Sequence, residues 1–216
     1  MERLKEKKVL VLITSLLCLM PMIVGLIFYK KLPEQIATHF NALGEADGYS
    51  SRTFAVFGTG AIMLGVHLLC LFITTADPKN RNVSDKVMDL IFWAVPAVSL
   101  YITFLLYGSA LGFDFDVSNI TILFMGVLLT AIGNYLPKCR QNYTIGIKVP
   151  WALNDAENWD RTHRFGGYVF MICGILCVLM ALFVKNAQAL LMPVMLVCVA
   201  APVVYSYLLY RKKNVQ

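Results

Sequence analysis

The chain has 216 residues, of which 58% are hydrophobic and only 15% charged. Soluble domains run at about half apolar and a quarter charged, so a water-facing domain is excluded and an all-α, polytopic membrane protein is indicated. The net charge of +6 raises nucleic acid as a partner, but membrane topology accounts for it without one.

Taken in order, the chain opens on a basic segment carrying Arg3, Lys5, Lys7 and Lys8. The apolar run Val9 to Tyr29, interrupted by Pro21, is too long for a signal-peptide core and has no small-residue cleavage site. It reads as a retained first helix. A polar loop, KKLPEQIATHFNALGEADGYSSRT, occupies 30–53. A second helix is predicted over Phe54 to Ala76, then a short link from Asp77 to Lys86 with Ser84 as N-cap. The third helix runs from Val87 to Leu111 with a kink at Pro96. A tight acidic turn over Gly112 to Asp116 leads to the fourth, Val117 to Leu136, stopped by Pro137. The fifth spans Gly167 to Val184 and the sixth Ala189 to Tyr210, joined by a turn over Lys185 to Gln188, with Pro193 and Pro202 expected to bend the last. Each run suffices to cross a bilayer at about 1.5 Å per residue.

Basic residues set the orientation. Of 19 Lys and Arg, fifteen fall on one side: four at the amino terminus, three in the 77–86 link, five in 133–167 and three at the carboxyl terminus. The other side holds only Lys30, Lys31, Arg52 and Lys185. This predicts six helices with both termini cytoplasmic, the 30–53 loop outside and the 133–167 stretch inside. The organisation is read as 1–76, a helix pair with the outer loop; 77–132, a middle helix pair; and 133–216, the inner stretch with the last two helices.

The helix interiors hold almost no ionisable groups. His67 is the exception, and a lone histidine reads as a helix–helix hydrogen-bonding residue rather than a proton relay. Enzyme signatures such as G-x-S-x-G and H-E-x-x-H are missing, so the chain is read as no enzyme. Five of the six cysteines sit in apolar runs, where a thiol behaves as a small hydrophobe, and Cys139 lies in the inner stretch. Cys173 and Cys177 share a helix face but lack a partnering His or Cys pair. No metal, cofactor or disulfide framework is implied.

Two loops carry signal. The outer one is about two dozen residues long, more than a connector needs. Pro33, Gly44 and Asp47-Gly48 punctuate it. Ile36, Phe40 and Leu43 recur at helical spacing, which predicts a turn or two of helix with an apolar stripe on the bilayer, leaving His39, Asn41 and Asp47 for an external ligand. Glu34, His39, Glu45 and Asp47 lie close enough in sequence to ligate a metal ion, but they read as simply solvated in a short loop.

The inner stretch is the longest polar interval in the chain. Asp155 or Asn154 caps a short helix through Phe165, supported by Glu157–Arg161 and Asp160–Arg164 pairs at i,i+4. Trp151 and Trp159 suit the headgroup layer, and His163, flanked by arginines, reads as solvated. Asn134, Asn142, Thr144 and Gly146 crowd the preceding turn, a chemistry that suggests a folded cap or docking face.

The inner segments GNYLPK, NYTIGIKVPWAL and W-x-x-THRFGG resemble the signature of the SdpI family of bacterial immunity proteins. They contain Asn134, Pro137, Lys138, Asn142, Gly146, Ile147, Pro150, Trp151, Trp159, Thr162, His163, Arg164 and Gly166, and the docking candidates Lys148 and Arg161 lie in the same stretch. The outer segment LPEQIATHFNALGEADGY, with Pro33, His39, Phe40, Asn41, Gly44, Asp47 and Gly48, resembles the small domain of unknown function often joined to it. The resemblance implies a multi-pass plasma-membrane protein that protects its bacterium from a secreted peptide toxin. In the best-known family case, with toxin present, it also holds a winged-helix repressor at the membrane. The outer loop is then the toxin-facing candidate and the inner stretch the docking candidate, with no direct nucleic-acid contact. A small exporter of a toxic compound is the rival reading, and a metal-dependent membrane enzyme a weaker one.

Overall fold

The computed structural model describes residues 2–184 and 187–214. The elements are α1 (Glu2–Glu6), α2 (Lys8–Cys18), α3 (Met20–Phe28), β1 (Gln35–Phe40), β2 (Ala46–Ser51), α4 (Thr59–Ala76), α5 (Asp85–Ala110), α6 (Val117–Tyr135), α7 (Pro150–Leu153), α8 (Ala156–Phe183) and α9 (Gln188–Asn214). A π-helical turn, Phe54–Gly58, leads into α4, and a 3-10 turn, Leu136–Lys138, closes α6. Among the described residues five helices are long and apolar enough to span a membrane, and the bent pair α2–α3 makes a sixth if it forms one span. The expected turn after the fifth helix lies partly outside the described residues, at Lys185 and Asn186.

The all-α membrane class holds, with local departures. The first span bends by 45° between α2 and α3, where Pro21 stands at the start of the second piece and cannot supply an N–H to the helical ladder. Pro96, Pro193 and Pro202 are accommodated inside α5 and α9. Val87 N–H approaches Ser84 Oγ at 3.4 Å, so Ser84 caps α5.

Two compact units form. The first comprises the chain up to Thr75 plus Ile91–Ser118, with a core of Leu32, Ile36, Ala55, Val56, Leu106 and Tyr107. Here the bend in the first span is held by side chains. Ser99 Oγ donates to the Cys18 carbonyl (3.0 Å) and Tyr107 OH to those of Pro21 (2.7 Å) and Ala55 (3.2 Å). His67, fully buried, meets the Thr14 hydroxyl at 3.0 Å. That hydroxyl donates to the Leu10 carbonyl at 2.8 Å, so the imidazole N–H donates to Thr14. The histidine is a helix–helix tie, as its isolation suggests.

The second unit comprises Ala76–Leu90 and the chain from Asn119 onward. Its core gathers Ile122, Leu129, Cys173, Cys177, Met180 and Cys198. Helices α6 and α8 meet along glycines. A Cβ on Gly133 would lie 2.8 Å from the Gly167 carbonyl oxygen, and one on Gly126 2.8 Å from that of Gly174. Backbone meets backbone there, the packing that lets transmembrane helices approach closely.

Candidate functional site

The outer loop is a β-hairpin, which corrects the expected helical stripe. Strands β1 and β2 pair antiparallel from Gln35↔Ser51 to Phe40↔Ala46, with irregularities on either side of His39. The spacing of Ile36, Phe40 and Leu43 fits a helix only by coincidence. With period two, Ile36 turns into the core at 1% exposure, Phe40 is half-buried, and Leu43 stands exposed in the connecting loop.

Asn41 shapes that loop. Its Oδ1 accepts from the N–H groups of Leu43 (2.9 Å) and Glu45 (3.0 Å), and its Nδ2 donates to the Glu45 carboxylate (2.9 Å). Gly44 has φ +81°, and a side chain on it would meet the Ser118 backbone. Gly48 faces His39 across the hairpin, leaving no room for a Cβ. His39 Nδ1 and Asp47 Oδ1 are 2.5 Å apart, with side chains 73% and 45% exposed. Pro33 is exposed. The hairpin therefore presents a His–Asp pair while committing Asn41 to its own turn.

The inner stretch is built differently. From Cys139 to Val149 it has no helix or strand, so its backbone must find partners in side chains. Asn142, 1% exposed, accepts from the N–H groups of Thr144 (2.8 Å) and Ile145 (2.6 Å) and donates to the carbonyls of Arg140 (2.8 Å) and Ile145 (3.1 Å). Gln141 donates to the carbonyls of Ala152 (3.2 Å) and Leu153 (2.8 Å). Its own carbonyl accepts from Asn82 Nδ2 (2.7 Å).

Asp77 is the second anchor. Its carboxylate accepts from the N–H groups of Lys79 (2.7 Å) and Tyr143 (2.9 Å) and from the Thr144 hydroxyl. Burial alone would raise its pKa, but these donors outweigh it and hold the group below the ordinary carboxylate range. The sequence reading treated Asp77 as part of a short link. Its partners lie 66 and 67 residues on, and only the Asp-Pro dipeptide marked it.

Trp159 and His163 form the floor. Trp159 is fully buried, with Nε1 donating to the Cys139 carbonyl (2.8 Å), and its ring stacks on His163 at 4.0 Å between centroids. His163, 1% exposed, has Nδ1 2.8 Å from the Trp159 carbonyl. A carbonyl only accepts, so Nδ1 carries the hydrogen and Nε2 accepts from Ile147 N–H at 2.9 Å. Both nitrogens of a neutral ring are used. Gly146, with φ +112°, passes directly over it, and a Cβ there would overlap Nε2. Two expectations are corrected: Trp159 is no headgroup anchor, and His163 is not solvated. Burial also pushes the Cys139 thiol up to about 11.

The expected short helix does not stop at Phe165. Asp155 caps it, accepting from Glu157 N–H (3.0 Å) and Asn158 N–H (3.3 Å), but α8 continues through Gly166 and Gly167 to Phe183. The glycine pair reads locally as a break, yet it is buried because Ile147 and Pro137 press against it. Glu157 pairs with Arg161 at 3.2 Å. The Asp155 carboxylate also holds Lys213 at 2.7 Å; chiefly through that bond its pKa is lowered. Below the cap, Asn158 accepts from Ser206 Oγ (2.6 Å) and Thr162 Oγ1 (2.9 Å), tying α8 to α9.

The predicted docking residues thus divide. Asn142, Trp159 and His163 are buried, and Gly146 and Trp151 half-buried. Trp151 packs edge-on against Tyr207 at 5.4 Å, and its Nε1 has no partner. Asn134, Pro137 and Pro150 are exposed, as are all five cations: Lys138, Arg140, Lys148, Arg161 and Arg164. A scaffold of buried amides and aromatics holds out a cationic face.

Residues 138–206 match the model of the SdpI/YfhL protein family, and residues 16–64 match that of a domain of unknown function, DUF1648. The chain is 25% identical over 209 residues to Immunity protein SdpI of Bacillus subtilis (strain 168), covering 94% of this chain and 97% of that protein. No solved structure matches it. The inner stretch from residue 138 onward thus matches the SdpI/YfhL model and the outer loop the DUF1648 model, and the chain is a multi-pass protein of the bacterial cell membrane.

Proposed function

We propose, from this homology to an immunity protein, that the chain protects its bacterium against a secreted peptide toxin and passes the event to a cytoplasmic partner. The observation that carries the reading is the sorting of the signature stretch: all five cations exposed, with Asn142, Trp159 and His163 buried beneath them. A segment that only anchored a helix would not need Asn142, Asp77 and His163 to rigidify eleven residues of coil. Fixed cations on a rigid loop suit a partner with an acidic surface, since presenting them in one geometry lowers the ordering cost of binding.

In this reading the hairpin, through His39, Asp47 and the exposed strand faces, meets the toxin. Lys148, Trp151, Arg161 and Arg164 meet a winged-helix repressor and hold it at the membrane. The reading includes no catalytic step.

The test is survival of a toxin-sensitive Gram-positive strain expressing the chain and challenged with an SDP-type peptide toxin. Protection is expected, and Arg164→Ala or Trp151→Ala should release a co-expressed fluorescent repressor from the membrane while sparing survival. Absence of protection with the protein present in the membrane would overturn the immunity role. Unchanged repressor recruitment in both variants would overturn the docking role alone.

A further inference from the structure

Between α6 and α8 runs a membrane-facing groove of about 510 Å³. Helix α6 contributes Val127, Ala131 and Asn134, and α8 contributes Met171, Ile175 and Val178. Its walls are apolar but for Thr130 and Asn134. The Thr130 hydroxyl is already committed to the Gly126 carbonyl (2.8 Å). Polarity is therefore confined to one end. There Lys138 Nζ donates to Asn134 Oδ1 at 3.3 Å and stands 4.8 Å from the centroid of the Tyr135 ring, and its ammonium still has hydrogens to offer an added acceptor. Arg164, also exposed, lies seven residues before Met171, two helical turns along the same face of α8.

We propose that this groove holds one acyl chain of an anionic phospholipid, its phosphate against Lys138 and Arg164. Two observations and one general rule select a lipid over a second helix. Val127 to Asn134 is about 10 Å of helix, within the roughly 15 Å of one leaflet's hydrocarbon and about a third of the roughly 30 Å that a spanning partner would cover. The cations stand only at the end where the basic-residue asymmetry puts the cytoplasmic leaflet. Basic pockets between transmembrane helices on that side are built for anionic headgroups. The glycine contacts of the α6–α8 seam hold the groove's two walls side by side.

The test is native mass spectrometry of the detergent-purified full chain, equilibrated with equal amounts of palmitoyl-oleoyl phosphatidylglycerol and phosphatidylcholine. One retained phosphatidylglycerol is expected, favoured at least about fivefold. Lys138→Glu should abolish the headgroup preference, and Ile175→Trp, which fills the groove from an exposed position, should lower retention of both lipids. Equal retention of the two lipids by the unaltered chain would overturn the proposal. So would phosphatidylglycerol binding unchanged in both variants, or an Ile175→Cys variant that cross-links to a second copy, which would assign the groove to a helix. None of these readouts depends on toxin or repressor.

Discussion

The hairpin and the signature stretch are both polar interruptions of an apolar chain, and they are stabilised in opposite ways. In the hairpin the backbone pairs with itself, strand to strand, and the charged side chains stand exposed with partners eight or fewer residues away. In the signature stretch the backbone has no ladder, and buried side chains supply its partners from as far away as Asp77 and His163. A polar motif residue therefore means different things in the two regions. On the hairpin it either stands in water, as His39 and Asp47 do, or shapes its own turn, as Asn41 does. In the signature stretch it is as often the frame that holds the contact residues out.

That contrast breaks first at Gly146. Replacing it with Ala forces a side chain into a left-handed conformation and into the His163 ring. We expect a loss of about 3 kcal/mol or more, seen as a collapse of the near-ultraviolet dichroism of Trp159 and of its melting transition in detergent. A Gly146→Ala protein as stable as the parent would mean that the loop does not rest on the histidine.

Asp77 gives the next largest effect, and it carries a pH signature. Its folded pKa lies below the unfolded value of about 3.9, so its stabilisation is complete above that value and is lost as pH falls through the lower, folded one. An acid-induced loosening below about pH 4 is expected, followed by amide exchange at Tyr143, whose N–H the carboxylate accepts. Asp77→Asn keeps the shape but turns an acceptor oxygen into a donor, costing about 1–3 kcal/mol at neutral pH. It should also remove this acid step. An unaltered step in that variant would assign the titration to another group.

The hairpin's own frame is smaller. Asn41→Ala removes two acceptances that shape the turn, but the freed N–H groups lie in an exposed loop where water replaces them. The expected cost is about 1 kcal/mol or less, measured by thermal unfolding. A cost equal to that of Gly146→Ala would erase the distinction between the regions.

What the sequence revealed follows the range of the interactions. The membrane spans were legible because burial in lipid is written into every residue of a run, and Asp155 was legible as a cap because a cap acts over three residues. The hairpin was not, since Ile36, Phe40 and Leu43 satisfy a helical period locally while the pairing that defines the strands is made across the Asn41–Glu45 loop. Trp159 next to charged residues has the composition of a headgroup anchor. Its burial depends on Cys139 twenty residues earlier. Gly166-Gly167 looked like a helix break because a glycine's packing partners, here Ile147 and Pro137, leave no local trace. The motif segments stand out in the sequence, but the sorting of their residues into frame and face does not, nor does Asp77 as their anchor.

The finest distinction lies at His39 and Asp47. Their contact is short, but both side chains are largely in water, where exposed ion pairs contribute about 0–1 kcal/mol. His39→Ala and Asp47→Ala should therefore leave the melting temperature within about 2 °C of the parent. If the hairpin meets the toxin as proposed, the same variants lower survival under toxin challenge, while repressor recruitment without toxin stays as it was. Stability and protection would then be separable in the hairpin, where a side chain can be lost without loss of fold. In the floor of the signature stretch, at Gly146 or Asp77, the two should fall together. A His39→Ala strain that survives toxin as well as the parent would leave the hairpin a structural cover for Leu32 and Ile36, and the toxin contact would have to be sought on the helices.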